Sequence, residues 1–367
     1  MMKSNLNEAF QTFLDDIYDL NDLPGLAAGV YCGSTDSTYI GVRGYADYQT
    51  RRPLHEDDIF HCASVSKLFT STAIMKLVEA GVLNLDDSLS ALLPDLHIVD
   101  KRSSEIKLLQ MLTHTSGLGD CTDYHWDTPR CDEEALADYV YSDEVCKQPM
   151  VWESGTGFRY SNVAYEILGY IVSIYSDHLA ENSKTGRLCY EDFIRRYCLE
   201  PAGMVQSTMK TFERKDGTLP MAAPHERGDD KSIRPVRHYP YTRQHAPSST
   251  LTSNISDLLK WGRAHLDHTK ASGSSPIFAD PSIYDEIWTP YAKVPNNGEG
   301  IGLGWFIRKQ QVAPDREFVL YGHEGSDDGF RSSFWICPEL DLVTVVLSNI
   351  SGAPVKKINK KLFAVFA

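Results

Sequence analysis

The chain has 367 residues, 42% of them hydrophobic, enough to bury a large core, so one large or two interleaved domains of a globular enzyme are expected. A formal net charge of -14 offers no basic footprint for nucleic acid and opposes anionic lipid surfaces, which leaves small molecules or short peptides as partners. No run approaches the ~20 apolar residues of a membrane span, and MMKSNLNEAF lacks the apolar core and cleavage site of a signal peptide. As written, the chain is expected in the cytoplasm, or in the periplasm or outside the cell if a leader once preceded it. The cysteines are scattered, and Cys32, Cys62 and Cys337 beside apolar residues read as buried free thiols.

In chain order, Leu6, Phe10, Phe13, Leu14 and Ile17 recur at helical spacing, which predicts an amphipathic helix that ends at Asp22 to Gly25 and packs on something C-terminal. Gly25 to Cys32 and Tyr39 to Gly44 predict an antiparallel hairpin. From Ser64 the run SVSKLFTSTAIMKLVEAG is apolar nearly all round and stops at Gly81, as a buried central helix does. Residues 88–245 read as helical segments with irregular connections, including a charged, aromatic insert from Cys121 to Trp152. Asn254 and Asp257 offer a capping-box-like start to ISDLLKWGRAHL. Ile301 to Ile307, Phe318 to Tyr321, Ser332 to Ile336 and Leu342 to Leu347 then predict strands, and a last helix starts near Val355.

Sheet pieces at both ends around a helical middle imply an α+β fold. Residues 1–87 and 246–367 form an α/β body with an antiparallel sheet flanked by helices, 88–245 form an inserted all-α lobe, and the active site lies in the cleft between them.

Three short motifs carry the chemistry. Ser64 and Lys67 form a Ser-x-x-Lys pair one turn apart on one helix face, so an amine can reach a hydroxyl. Serine needs a neighbour to take its proton, and lysine serves only when burial or nearby charge lowers its pKa from ~10.4. Helix-terminal N–H groups near Ser64 suit an oxyanion. A second match, Ser207 with Lys210, follows PAGM and leads into no buried helix, so it is expected in an exposed turn. Tyr160-Ser161-Asn162 precedes an amphipathic helix and either aims side chains into the cleft or simply caps that helix. His323-Glu324-Gly325, followed by Ser326, adjoins a strand, where glycine lets substrate backbone approach the sheet edge; the alternative is an ordinary turn.

SVSK, YSN and HEG, in that order, resemble the Ser-x-x-Lys, Tyr-x-Asn and Lys/His-x-Gly motifs of class C β-lactamase-like serine hydrolases, a family that includes β-lactamases, DD-peptidases, penicillin-binding proteins and esterases. IKLLQMLTHTSGL, GTGFRYSNVAYEILGYIV and FVLYGHEGSDDGFRSSFWICPELDLVTVVLSN are similar to the same family, over about residues 6 to 350. The resemblance implies a β-lactamase/transpeptidase-like fold. It also implies Ser64 as nucleophile, Lys67 and Tyr160 sharing general base and acid work, and Asn162 orienting substrate and lysine. His323 and Gly325 would line the opposite wall, and the N–H groups of Ser64 and Ser326 would form the oxyanion hole. A cation near Tyr160 favours its phenolate; which group is the base stays open.

Two departures bear on substrate. β-Lactamases of this group usually carry Lys-Thr-Gly where this chain has His323-Glu324-Gly325, so an esterase or a D-amino-acid or DD-peptidase-like activity ranks above a β-lactamase. Glu324 is expected to disfavour substrates with a nearby carboxylate unless strand alternation turns it away from the cleft. Ser248 and Ser249 stand where relatives have paired glycines and are expected to reshape the rim. From another class, a slowly acylated or inactive penicillin-binding-type sensor remains the competing reading. His114 is expected to hydrogen-bond structurally, Cys121, His125 and Cys131 lack the pairing of zinc ligands, and GIGLG lacks the spacing of a nucleotide loop, so no metal or cofactor is expected. Tyr239, Tyr241, Trp126 and Trp152 either line the cleft or pack.

Overall fold

The computed structural model describes residues 2–179, 186–213, 220–269 and 275–367. Its first helix, α1 (Met2–Asn21), buries Phe10, Leu14 and Ile17 on one face. It ends at Asp22, which takes the left-handed φ of 48° just before Pro24. The chain then enters a nine-stranded antiparallel sheet. Its strands are β1 (Gly25–Cys32), β2 (Ser37–Asp47), β3 (Arg52–Pro53), β4 (Ala292–Lys293), β5 (Gly300–Ile301), β6 (Phe306–Ala313), β7 (Arg316–Asp327), β8 (Phe330–Cys337) and β9 (Leu342–Ser348). Their spatial order is β3-β2-β1-β9-β8-β7-β6-β5-β4, so N- and C-terminal segments meet where β1 pairs with β9, Leu26 opposite Ser348 and Cys32 opposite Leu342.

That central position explains why β1 reads as a continuous apolar run: both its faces are covered. Ala27 and Tyr31 join one core, while Leu26, Ala28 and Val30 join the other, as the two-residue period of a strand requires. The first core contains helices α2 (Ser66–Glu79), α3 (Asn162–Tyr175) and α4 (Ile255–Leu266). The second lies under α1 and α5 (Val355–Phe366), where Phe10 packs edge-on to Phe366 with ring centres 6.0 Å apart.

The expected elements are found close to their expected places, with two informative differences. Ile301 to Ile307 is not one strand: the chain breaks at Gly304, φ 79°, where a Cβ would come within 2.7 Å of Ser71 on α2. The middle of the chain is mainly helical but also carries a two-stranded ladder, His225–Arg227 with Ile233–Pro235. Asn254 does cap α4, accepting from Asp257 N at 2.9 Å, but the Asp257 carboxylate turns to Gln206 N and Ser207 Oγ, so the reciprocal half of the box is not made. Among the described residues, no helix is long and apolar enough to cross a membrane. All eight cysteines are free, with Cys62 and Cys337 buried and Cys32 partly exposed.

Candidate active site

Ser64 sits in a single 3₁₀ turn, Ala63–Val65, directly ahead of α2. Ala63 has φ 47°, a left-handed conformation that costs a non-glycine residue about 1–2 kcal/mol. Neighbours hold it there. Cys62 N donates to Leu251 O at 2.8 Å, Ser332 Oγ donates to Cys62 O at 2.7 Å, and Ser66 Oγ donates to Ala63 O at 2.7 Å.

Gly325 on β7 lies against the same turn: a Cβ there would fall 2.3 Å from Cys62 O and 2.0 Å from Ser332 Oγ. That close approach gives the glycine a structural reason beside the substrate access expected of it. It admits the turn that carries Ser64, because the strand and the helix start approach too closely for any side chain.

Lys67, one turn into α2, is completely buried. Its Nζ donates to Asn162 Oδ1 at 2.6 Å and to Ser248 O at 2.9 Å, and lies 3.2 Å from Ser64 Oγ. Burial pulls its pKa down to about 8, against the opposing pull of Glu166, Asp120 and Asp327.

Both readings of Tyr-Ser-Asn hold at once, on different residues. Ser161 caps α3, its Oγ accepting from Ala164 N at 3.1 Å. Asn162 turns toward Lys67, while its amide donates to Asp120 Oδ1 at 3.0 Å and Tyr124 Oη at 2.7 Å. Those partners fix which end of the amide faces the lysine. Tyr160 places its ring 4.9 Å from Lys67 Nζ. The adjacent cation was expected to favour phenolate, but burial outweighs it and raises this phenol well above its ordinary value, with Ser64 pulling the other way. His114 stacks on Tyr160, ring centres 4.3 Å apart, and accepts from Ser161 N at 3.2 Å, a structural hydrogen bond of the kind expected.

Ser64, Tyr160, Asn162, His323, Glu324 and Ser326 line one cleft of about 530 Å³. Lys67 and Gly325 are buried and are not part of its lining. His323 is buried and pushed down to about 3 by desolvation, aided by Lys67, so it is neutral; its Nδ1–H donates to Glu324 O at 2.5 Å. Glu324 does reach the cleft. Trp335 Nε1 donates to it at 2.8 Å and Arg308 lies 3.3 Å away, with the guanidinium stacked 3.6 Å over the Trp335 ring.

Other sequence candidates resolve differently. Ser207 and Lys210 do not meet: Ser207 is buried rather than in an exposed turn and bonds Asp257 at 2.9 Å, while Lys210 pairs with Asp192 at 3.1 Å. Ser248 and Ser249 are buried, not at the rim, because the short helix Ala246–Ser249 packs against α2 behind the lysine. Of the four aromatic candidates, Trp126 lines an outer cleft that shares Tyr124 and Ser326 with the Ser64 cleft, whereas Tyr241 is core, Tyr239 packs edge-on against Phe330 with ring centres 5.6 Å apart, and Trp152 packs on Gly157. Among the described residues, no group of three His, Cys, Asp or Glu side chains is arranged to hold a metal ion. Reasoning from sequence missed Asp120, Tyr124 and Glu166. Only Glu166 left a signal, as the lone acid inside the apolar run NVAYEILGYIV four residues after Asn162.

The family model described as Beta-lactamase matches residues 10–365. Penicillin-binding protein 4 of Amycolatopsis lactamdurans is 27% identical over 347 residues, covering 93% of this chain and 84% of that protein. Among solved structures, an octameric penicillin-binding protein homologue from Pyrococcus abyssi superposes with a TM-score of 0.79 at 24% identity, over 100% of this chain and 77% of that one. A class C β-lactamase superposes with a TM-score of 0.76 at 19% identity, over 100% and 96% of the two chains. The chain thus has the β-lactamase/transpeptidase-like fold and belongs to the Beta-lactamase family.

Proposed function

We propose that this protein hydrolyses ester or amide bonds through an acyl-enzyme on Ser64, as an esterase or a D-amino-acid or DD-peptidase-like enzyme rather than a β-lactamase. The observation that carries the reading is the set of acceptors around Lys67. An ammonium has three N–H bonds, and here Asn162 Oδ1, Ser248 O and Ser64 Oγ stand at 2.6, 2.9 and 3.2 Å. A neutral amine keeps the first two bonds and turns its lone pair to Ser64 Oγ, where it can take the hydroxyl proton.

In the proposed cycle, Ser64 Oγ attacks the substrate carbonyl as its proton passes to Lys67. The N–H groups of Ser64 and Ser326 receive the oxyanion. Tyr160, kept protonated by burial, donates to the departing oxygen or nitrogen. The Lys67 ammonium returns its proton to Tyr160; water then gives a proton to Lys67 as it attacks the acyl carbon, Tyr160 protonates the departing Ser64 Oγ, and the acid is freed. The preference against β-lactams rests on His323-Glu324-Gly325, which stands where β-lactamases of this group usually carry Lys-Thr-Gly.

The test is turnover of p-nitrophenyl acetate and butyrate by wild type and Ser64→Ala, with nitrocefin alongside. A burst followed by steady turnover that vanishes in Ser64→Ala, with no nitrocefin hydrolysis, is expected. Equal rates in wild type and Ser64→Ala would remove Ser64 as nucleophile, and nitrocefin turnover above that of the esters would reverse the substrate preference. A stable adduct that never turns over would favour a sensor.

A further inference from the structure

Behind Lys67, on the side away from the cleft, lies a second group of polar side chains with no part in the steps above. Glu166 and His245 have side-chain exposures of 0% and 1%, and Ser248 is equally buried. Glu166 follows Asn162 by four residues, so α3 presents both toward α2 from one face. Ser248 Oγ donates to Glu166 Oε1 at 2.5 Å, and the Ser248 carbonyl accepts from Lys67 Nζ at 2.9 Å. His245 Nδ1 approaches the same Oε1 at 3.1 Å, while its ring meets Tyr124 and Tyr139 edge-on. Glu166 Oε2 and His245 Nε2 find no partner.

A buried carboxyl left half-satisfied is expensive, and an apolar side chain at this position of an apolar helix would avoid the cost. We propose that Glu166 is a positioning residue for Ser64 chemistry: through Ser248 it fixes the backbone carbonyl that holds the Lys67 amine in register, and it supplies the negative charge behind that amine. The proposal rests on the reading of Lys67 as base.

Several groups face Lys67. Glu166, Tyr165 and Asn162 do so from α3, Tyr160 from the segment before it, and His114, Asp120 and Cys121 from the loops beyond α2. His323 and Asp327 face it from β7. Of the charges, Glu166 contributes most to keeping the amine protonated, ahead of Asp120 and Asp327. Burial raises the carboxyl of Glu166 itself, and His245, Ser248 and Lys67 pull it back. Removing this anion lowers the lysine pKa, since the ammonium loses the counter-charge that favours it most.

The experiment follows the Lys67 side chain directly, by NMR of protein labelled with ¹³C at lysine Cε, its signal identified by loss in Lys67→Arg. In Glu166→Gln the Lys67 titration is expected to move down by on the order of one pH unit, and the acid limb of kcat/KM on p-nitrophenyl acetate to move with it. Ser248→Ala, which strips the carboxylate of a donor, shifts both in the same direction by less and stands in if Glu166→Gln fails to fold. An unmoved titration in the folded variant, with activity lowered uniformly at all pH, means that Glu166 only packs and overturns the proposal. If the titration moves but activity does not follow, Lys67 is not the base; that outcome, like full activity in Ser64→Ala, counts against the catalytic reading and not against the Glu166–Lys67 coupling.

Discussion

At the scale of single residues, burial acts on Lys67 and Tyr160 in opposite chemical senses but to one end. Desolvation disfavours the charged form of each, lowering the amine to about 8 and raising the phenol, so near pH 8 the phenol is neutral and about half of the amine is, and the neutral amine can accept a proton while the phenol donates. A base works when deprotonated, so kcat/KM is expected to rise about tenfold per pH unit below about 8 and to level off above it. Lys67→Arg, whose guanidinium keeps its proton, is expected to lose about 10²–10⁴ in kcat/KM and to lose this limb. A wild-type profile flat from about pH 6 to about 9 would take the base role from Lys67. The pair itself was legible in the sequence, because three residues along a helix is one turn. The protonation states of Lys67 and Tyr160 were not, because they depend on water excluded by side chains distant in the chain.

At the scale of elements, the strand β7 and the start of α2 form one unit. Gly325 packs where a side chain would overlap Cys62 O and Ser332 Oγ, and the left-handed Ala63 sits between them and Ser64. Gly325→Ala is expected to destabilise the fold by about 1–3 kcal/mol, read from urea unfolding. Because the strain falls on the turn bearing Ser64, kcat/KM should also fall. Wild-type stability and kinetics in this variant would mean the turn yields freely. The strands β1, β7, β8 and β9 and the helices α1, α2 and α5 are written in the sequence as periodicity and punctuation. The break at Gly304 inside GIGLGWFI is not, since an apolar run with glycines reads equally as one strand, and only the approach of Ser71 requires the left-handed turn.

At the scale of the whole molecule, the two ends of the chain close the sheet and then cover it. Phe10 of α1 meets Tyr39 of β2 and Phe366 of α5 with ring centres 6.3 and 6.0 Å apart, locking together three segments from opposite ends of the sequence. Phe10→Ala is expected to cost about 3–5 kcal/mol in urea unfolding. The pH dependence of kcat/KM should stay as in wild type, because this core lies on the sheet face away from α2. A shifted acid limb would show that the terminal helices couple to the site.

The sequence by itself determined the α+β class, the order of the elements and the residues of the Ser64 motifs, since these follow from local spacing and from a resemblance spread over most of the chain. Tertiary structure alone decided the proton inventory. Lys67 finds its acceptors 95 and 181 residues away, at Asn162 and Ser248. Glu166 stands behind it only because α3 and the short helix at Ala246–Ser249 both pack on α2. Hydrogen bonds and desolvation act over a few ångströms of space whatever the separation along the chain, so no reading of local pattern gives the charge on a buried amine.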